Sequence, residues 1–133
     1  MMAAVRATIR HFEIPARDFD RASRFYREVF GWSIEPEPWD GPPYAVLRTS
    51  SERSPSAAPA RLGIDGGLTT AEGPGDQPLL VVHVEEATLE QALERIAAAG
   101  GTVDLPPTQI ADFGRFARFR DPEGNLLGLW QGR

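Results

Sequence analysis

The chain has 133 residues, no cysteine and a net charge of −5, and all 14 of its basic residues are arginine. The missing cysteine excludes thiol nucleophiles, disulfides and cysteine zinc sites, and the missing lysine excludes Schiff-base catalysis and a lysine-bearing P-loop. The negative charge argues against nucleic acid as a partner, because binding to phosphates needs clustered positive charge. It favours neutral or cationic small molecules.

The N-terminal stretch shows no targeting signal. In MMAAVRATIRHFEIP, arginines interrupt a short apolar run, and no segment of the chain approaches the roughly 20 apolar residues that a membrane span requires. We therefore expect a cytoplasmic protein that has no membrane partner.

The first half of the chain predicts one strand, one helix and three shorter strands. ATIRHFEIP alternates apolar and polar residues as a strand does, and Asp18 is a candidate N-cap for a helix over residues 19–30, which Gly31 ends. The segments WSIEPEP, YAVLRTS and ARLGID predict the other strands. The residues that helical spacing places on the inward face are Phe19, Ala22, Tyr26, Val29 and Phe30.

The second half repeats this order. PLLVVHVEE predicts a strand, and TLEQ matches a capping box for a helix near residues 88–99 that ends at Gly100 and Gly101. TVDLPP, RFARFRD and LLGLWQ predict three more strands, and DPEGN between the last two is typical of a tight turn rather than of a metal or acid/base site. Each half is therefore β-α-β-β-β, and the fold class is α+β.

These signals predict one domain over residues 1–133. The first module covers about residues 5–67, a linker about 68–77, and the second module about 78–133. Residues 50–60, SSERSPSAAPA, predict a mobile surface loop because they offer almost nothing to bury.

The order of HFEIP, RASRFYREVFGW and DPEGNLLGLWQ resembles the vicinal-oxygen-chelate superfamily, which includes glyoxalase I, bleomycin-resistance proteins and extradiol dioxygenases. The resemblance covers nearly the whole chain and is strongest with glyoxalase-like proteins that share this spacing of histidine, acid and proline. It implies two modules related by pseudo-twofold symmetry, a cup-shaped mixed sheet that holds the ligand or metal, and a homodimer. It says little about the reaction.

In metal-dependent members, a residue on the first strand of each module and an acid on a last strand hold the ion. His11 matches the first of these positions, but the equivalents in the second module match Leu79 and Gly128, which cannot be ligands. On the last strand of the first module either Gly63 or Asp65 matches. Because a tight divalent site usually needs three or four protein donors, we expect no metal cofactor; a divalent ion, if present, would use His11 and Asp65.

Strand alternation places His11 and Glu13 on one face, where they are candidates for hydrogen bonding to a ligand or for acid/base catalysis. The alternative is a structural histidine beside a solvated or arginine-paired glutamate. Trp130, Phe113 and Phe116 are candidates for an apolar ligand wall, although packing between the modules explains them equally well.

Three functions remain open. The first is a metal-free protein that encloses a small organic molecule. The second is a metal-dependent lyase, isomerase or dioxygenase with a rearranged site that uses His11, Glu13 and Asp65. The third is a metal-free enzyme in which His11 and Glu13 transfer protons.

Overall fold

A computed structural model describes residues 3–49, 63–73 and 76–133. Within these residues the chain forms two helices and eight strands. In chain order they are β1 (Ala7–Ala16), α1 (Phe19–Phe30), β2 (Ser33–Pro36), β3 (Tyr44–Arg48), β4 (Asp65–Thr70), β5 (Leu79–Val84), α2 (Leu89–Ala98), β6 (Thr102–Ile110), β7 (Gly114–Arg120) and β8 (Leu126–Gly132).

This order confirms the α+β class and the repeated β-α-β-β-β module. The chain divides into two compact units. The first unit is His11–Pro78, and the second combines the residues up to Arg10 with Leu79–Arg133. Strand β1 therefore contributes to both units, and each unit is described separately.

In the first unit the strand order is β2-β3-β4-β1, with β1 parallel to β4 and the other pairs antiparallel. Alternate residues of these strands face α1 and form the apolar core. Its buried members are Ala16, Ile34, Ala45, Leu47 and Leu68. Phe12 and Ile14 of β1 and Phe19, Ala22 and Tyr26 of α1 pack against them. Burial of this one face leaves the opposite face of the sheet for polar side chains.

The predicted boundaries of α1 are confirmed. The Asp18 side chain accepts from the backbone N–H of Arg21, and Gly31 ends the helix in the left-handed conformation, with φ 72°. Such a positive φ suits glycine because a side chain would crowd the backbone.

One part of the predicted helix face is wrong. Val29 and Phe30 were predicted to point inward, but they are 55% and 57% exposed, and Phe25 beside them is 54% exposed. The core is completed by Tyr26 and Trp32, whose rings stack with centroids 5.2 Å apart. The α1 surface therefore presents an apolar patch, defined here as Phe25, Val29 and Phe30.

In the second unit β5 is parallel to β8, and the order continues β5-β8-β7-β6 through antiparallel pairs. Thr88 and Gln91 form the predicted capping box at the start of α2. The core between α2 and the sheet consists of Val84, Leu89, Ala92, Leu93, Ala117 and Leu129. The Arg10 side chain in β1 pairs with Glu85, which follows β5.

The fourth strand is displaced from its predicted position. ARLGID was predicted as the strand; its first three residues lie outside the described residues, and β4 runs from Asp65 to Thr70. Residues 68–70, assigned to the linker, are therefore strand. Residues 50–62, which contain the predicted loop, lie outside the described residues. Among the helices that the structure describes, neither has the length and apolar character of a membrane span.

An ion pair fastens α2 to the sheet in the second unit. The two terminal nitrogens of Arg115 donate to the carboxylate of Glu90 at 2.6 and 2.7 Å. These hydrogen bonds lower the pKa of Glu90 from 4.5 to about 2. Because the unfolded chain then binds more protons than the folded chain over this range, stability should rise with pH there.

We expect the native protein to exceed the Glu90→Gln variant in stability above pH 4.5, and this advantage to disappear as the pH falls through about 2. Urea unfolding over that pH range measures the difference. Glu94→Gln is the matched control, because Glu94 lies on the same helix and its side chain forms no ion pair among the described residues. Parallel stability curves for the native and Glu90→Gln proteins would contradict the prediction.

Candidate functional site

The face of the first-unit sheet opposite α1 carries the predicted polar residues. His11 and Glu13 of β1 occupy positions paired with Asp65 and Gly67 of β4, and β3 continues this face through Tyr44. The parallel register settles the choice between Gly63 and Asp65, because Asp65 is the residue paired with His11.

Glu13 and Tyr44 form the centre of this face. The Tyr44 hydroxyl donates a hydrogen bond to the Glu13 carboxylate, and burial followed by the charge of Glu13 raises the pKa of Tyr44 far above its ordinary value. Both effects favour the neutral phenol. Tyr44 therefore keeps its proton and fixes one oxygen of Glu13.

Two adjacent glycines in β4 make room for aromatic rings. A Cβ atom on Gly67 would lie 1.9 Å from the Tyr44 hydroxyl oxygen, and one on Gly66 would lie 2.8 Å from the Phe12 ring on the opposite face. Glycine inside a strand often marks such a close approach. The pair in GGLTT was thus a sequence signal that could have placed an aromatic side chain here, and it was missed.

His11 lies beside the Glu13–Tyr44 pair. Its Nε2 atom is 3.8 Å from Oε2 of Glu13, and the two side chains are 21% and 17% exposed. The separation exceeds a hydrogen bond, so His11 and Glu13 can both contact a third group. Their partial exposure leaves them accessible to a small molecule.

Asp65 forms a hydrogen bond that links two neighbouring strands. Its Oδ1 atom accepts from the backbone N–H of Thr49 at 2.8 Å, and the Thr49 hydroxyl donates to the carbonyl of Ile64 at 2.7 Å. These bonds join the residue after β3 to the start of β4.

The predicted apolar wall lies in the second unit. Phe116 of β7 and Trp130 of β8 are paired on the face opposite α2, and His83 of β5 is paired with Trp130 on that same face. Phe113 is in the turn between β6 and β7 and is exposed. The structure thus brings Phe116 and Trp130 together as neighbours, and we call this pair the aromatic wall.

The register also corrects the match of Leu79 to His11. His11 lies seven residues before the helix cap Asp18, and Val81 lies the same distance before the cap Thr88. Val81 is paired with Gly128, as His11 is with Asp65. Counting along the sequence placed the equivalent of His11 at Leu79, which is two residues too early. Val81 is also aliphatic, so it cannot bind a metal ion.

Gly128 has no side chain to bind a metal ion, and neighbouring side chains lie close to its Cα atom. A Cβ atom there would lie 2.9 Å from the Phe116 ring and 3.3 Å from the Val81 side chain. A side chain at this position would require the Phe116 ring to shift.

These positions do not fit a tightly bound metal ion. Val81 and Gly128 supply no donor, and the carboxylates of Glu13 and Asp65 already accept hydrogen bonds. Among the described residues, no three His, Cys, Asp or Glu side chains are grouped as a metal site. The donor set falls below the three or four ligands that tight sites use.

The structural reading of DPEGN is confirmed. Asp121 accepts from the backbone N–H groups of Glu123 and Asn125, each at 2.9 Å, and Gly124 has a positive φ of 84°. Hydrogen bonds, that from the Asn125 side chain foremost, lower the pKa of Asp121. The carboxylate therefore holds the turn.

Residues 8–129 match the family model of the Glyoxalase/Bleomycin resistance protein/Dioxygenase superfamily. The chain belongs to this superfamily. The match confirms the resemblance inferred from the sequence motifs, and it spans both β-α-β-β-β modules.

The chain is similar to two curated proteins over most of its length. "Putative glyoxylase CFP32" of Mycobacterium tuberculosis is 26% identical over 121 residues, which are 90% of this chain and 43% of that protein. "Anthracycline biosynthesis protein DnrV" of Streptomyces peucetius is 28% identical over 127 residues, which are 90% of this chain and 45% of that protein. The chain thus spans less than half the length of these relatives.

Solved structures show the same fold. Methylmalonyl-CoA epimerase from Mycobacterium tuberculosis superposes with a TM-score of 0.65 at 19% identity, covering 100% of this chain and 93% of that one. The hypothetical protein BH1468 from Bacillus halodurans C-125 gives 0.67 at 14% identity, covering 96% and 95%. At these identities the likeness shows the fold alone.

The close approach of Tyr44 to Gly67 can be tested by substitution. We expect Gly67→Ala to destabilise the native protein by about 1–3 kcal/mol, because the added methyl group must displace the ring. In a Tyr44→Ala background the same change should cost much less, since all the nearest atoms to that methyl belong to Tyr44. Urea unfolding of the four proteins in this cycle gives the coupling, and additive effects would contradict the contact.

Proposed function

We propose that this chain binds a small organic molecule on the face of the first unit opposite α1, without a tightly held metal ion. The observation that carries the proposal is the half-buried group of His11, Glu13 and Tyr44. Tyr44 holds Glu13 in place, and the side chains of His11 and Glu13 are both partly exposed. Small-molecule sites commonly combine a few fixed polar groups with apolar surroundings.

The small set of donors around Glu13 and Asp65 favours a site for a small organic molecule over a metal site. Glu13 accepts from Tyr44, and Asp65 accepts from the Thr49 backbone. A carboxylate that accepts one hydrogen bond can still bind an ion, but Val81 and Gly128 supply no further donor. This small donor set weighs against the metal-dependent lyase, isomerase or dioxygenase.

A metal-free acid/base enzyme is the second candidate. His11 Nε2 and Glu13 Oε2 lie 3.8 Å apart. At this distance one group could take a proton from a substrate and the other could return one. An epimerase name among the structural neighbours fits such proton transfer, but that likeness extends only to the fold. We also propose that Phe113, Phe116 and Trp130 contact a ligand within the second unit. We propose the cytoplasm as the compartment.

The metal proposal predicts that the purified protein contains well under one equivalent of Zn, Ni, Fe or Mn, because too few donors are available. Elemental analysis by mass spectrometry measures this content. Substituting His11 by alanine should leave it unchanged. A stoichiometric ion that is lost in His11→Ala would overturn the metal-free proposal.

The binding proposal predicts that a neutral aromatic amide, with benzamide as the first probe, shifts the NMR signals of His11 and Tyr44. The affinity should fall in Glu13→Gln, which removes the carboxylate charge, and in His11→Ala, which removes the imidazole. Glu35→Gln is the matched control on the edge strand β2 of the same unit. Equal affinity in all three variants would contradict this location.

We also propose a homodimer that covers the α1 patch. Arg24 and Glu28 flank Phe25 and are exposed, and neither side chain forms an ion pair among the described residues. An antiparallel second copy would place Arg24 of one helix opposite Glu28 of the other, as a twofold interface requires. The apolar patch would form the centre of that interface.

Sedimentation at micromolar concentration should therefore give twice the chain mass of 14.6 kDa. Phe25→Glu should yield monomers, because two negative charges would then meet at the twofold axis. Val103→Glu, at an exposed residue of the second unit, is the control and should stay dimeric. A monomeric native protein would refute the dimer.

A further inference from the structure

A basic side chain lies beside the aromatic wall in the second unit. Arg118 and Phe116 are two residues apart on β7 and therefore share the face opposite α2, where they are paired with Gly128 and Trp130. Arg115, by contrast, reaches the helix face and pairs with Glu90. Arg118 is thus the basic group nearest to the aromatic wall along this strand.

One carboxylate holds this arginine by its inner nitrogen. The Nε atom of Arg118 donates to Oδ2 of Asp104 at 3.1 Å. Asp104 belongs to β6, and the pairing of β6 with β7 shifts register between Val103 and Leu105. Such an irregularity redirects a side chain, which here reaches the arginine.

The outer end of Arg118 remains available. No acceptor among the described residues bonds its two terminal nitrogens, and the side chain is 29% exposed. Nε of Arg120 also lies 3.9 Å from Asp104, so two guanidinium groups share a single carboxylate. The group of three side chains therefore keeps a positive charge in a chain whose net charge is −5.

We propose that this face binds the carboxylate of an organic acid at Arg118, with the apolar body of the acid against Phe116 and Trp130. A planar guanidinium with two free terminal nitrogens matches a carboxylate through paired hydrogen bonds. This inference rests on the proposed function, namely that the chain binds small organic molecules. It adds that organic acids are one class of ligand. It departs from the preference for neutral or cationic ligands that the net charge predicts, because local charge decides at a contact.

Phenylacetate and phenylacetamide test the proposal, since they share a shape and differ in charge. NMR titration of the native protein should shift the indole N–H of Trp130 and the Nε–H of Arg118, with phenylacetate binding about tenfold more tightly. Arg118→Gln should reduce this ratio to near one. Arg118→Lys should lower it several-fold, because a lysine keeps the charge but loses the paired geometry.

Arg115→Gln is the matched control. Arg115 lies on the same strand but on the α2 face, where it pairs with Glu90, so its removal should preserve the preference for the acid. An acid-to-amide ratio near one in the native protein, an unchanged ratio in Arg118→Gln, or no shift of Trp130 at the solubility limit of phenylacetate would overturn the proposal. If Arg118→Gln fails to fold, Arg118→Lys provides the test, and an unchanged acid-to-amide ratio in that variant would overturn the proposal.

The outcomes separate this inference from the proposed function. Benzamide shifts at His11 and Tyr44, together with no phenylacetate shift at Trp130, would leave the first-unit site standing and remove the acid site. Phenylacetate binding at Trp130 with no response of His11 to benzamide would do the reverse.

Discussion

The parallel pairing of β1 with β4 is the constraint on which the first unit depends. Because residues directly paired across two strands share a face, the match of His11 to Asp65 also places Glu13 beside Gly67 and sends Phe12 and Ile14 toward α1. A shift by one residue would bury the histidine and the glutamate in the apolar core and expose the aliphatic residues. The energy of the core therefore selects the register, and the register determines which polar groups meet.

Local signals were readable from the sequence, and long-range pairings were not. Asp18, Gly31 and the Thr88–Gln91 capping box act within a few residues, and the structure has each of them as predicted. The contact of Tyr44 with Glu13 depends instead on two strand pairings between residues far apart in the chain, and no local pattern encodes it. The same reason explains why Leu79 was matched to His11 when the strand pairing assigns that place to Val81.

The α1 patch shows what the helical spacing of apolar residues cannot predict. Helical spacing defines an apolar stripe, but it cannot say how much of that stripe the sheet covers. Tyr26 and Trp32 fill the space next to the sheet, so Phe25, Val29 and Phe30 lie outside the core. Similarly, ARLGID resembled a strand, although among the described residues β4 begins only at Asp65.

The Phe116 ring over Gly128 bears on how this chain could change over generations. A side chain gained at position 128 would require the Phe116 ring to shift. A shift of that ring would in turn change the aromatic wall. Substitutions at positions 116 and 128 are therefore expected to act together rather than independently.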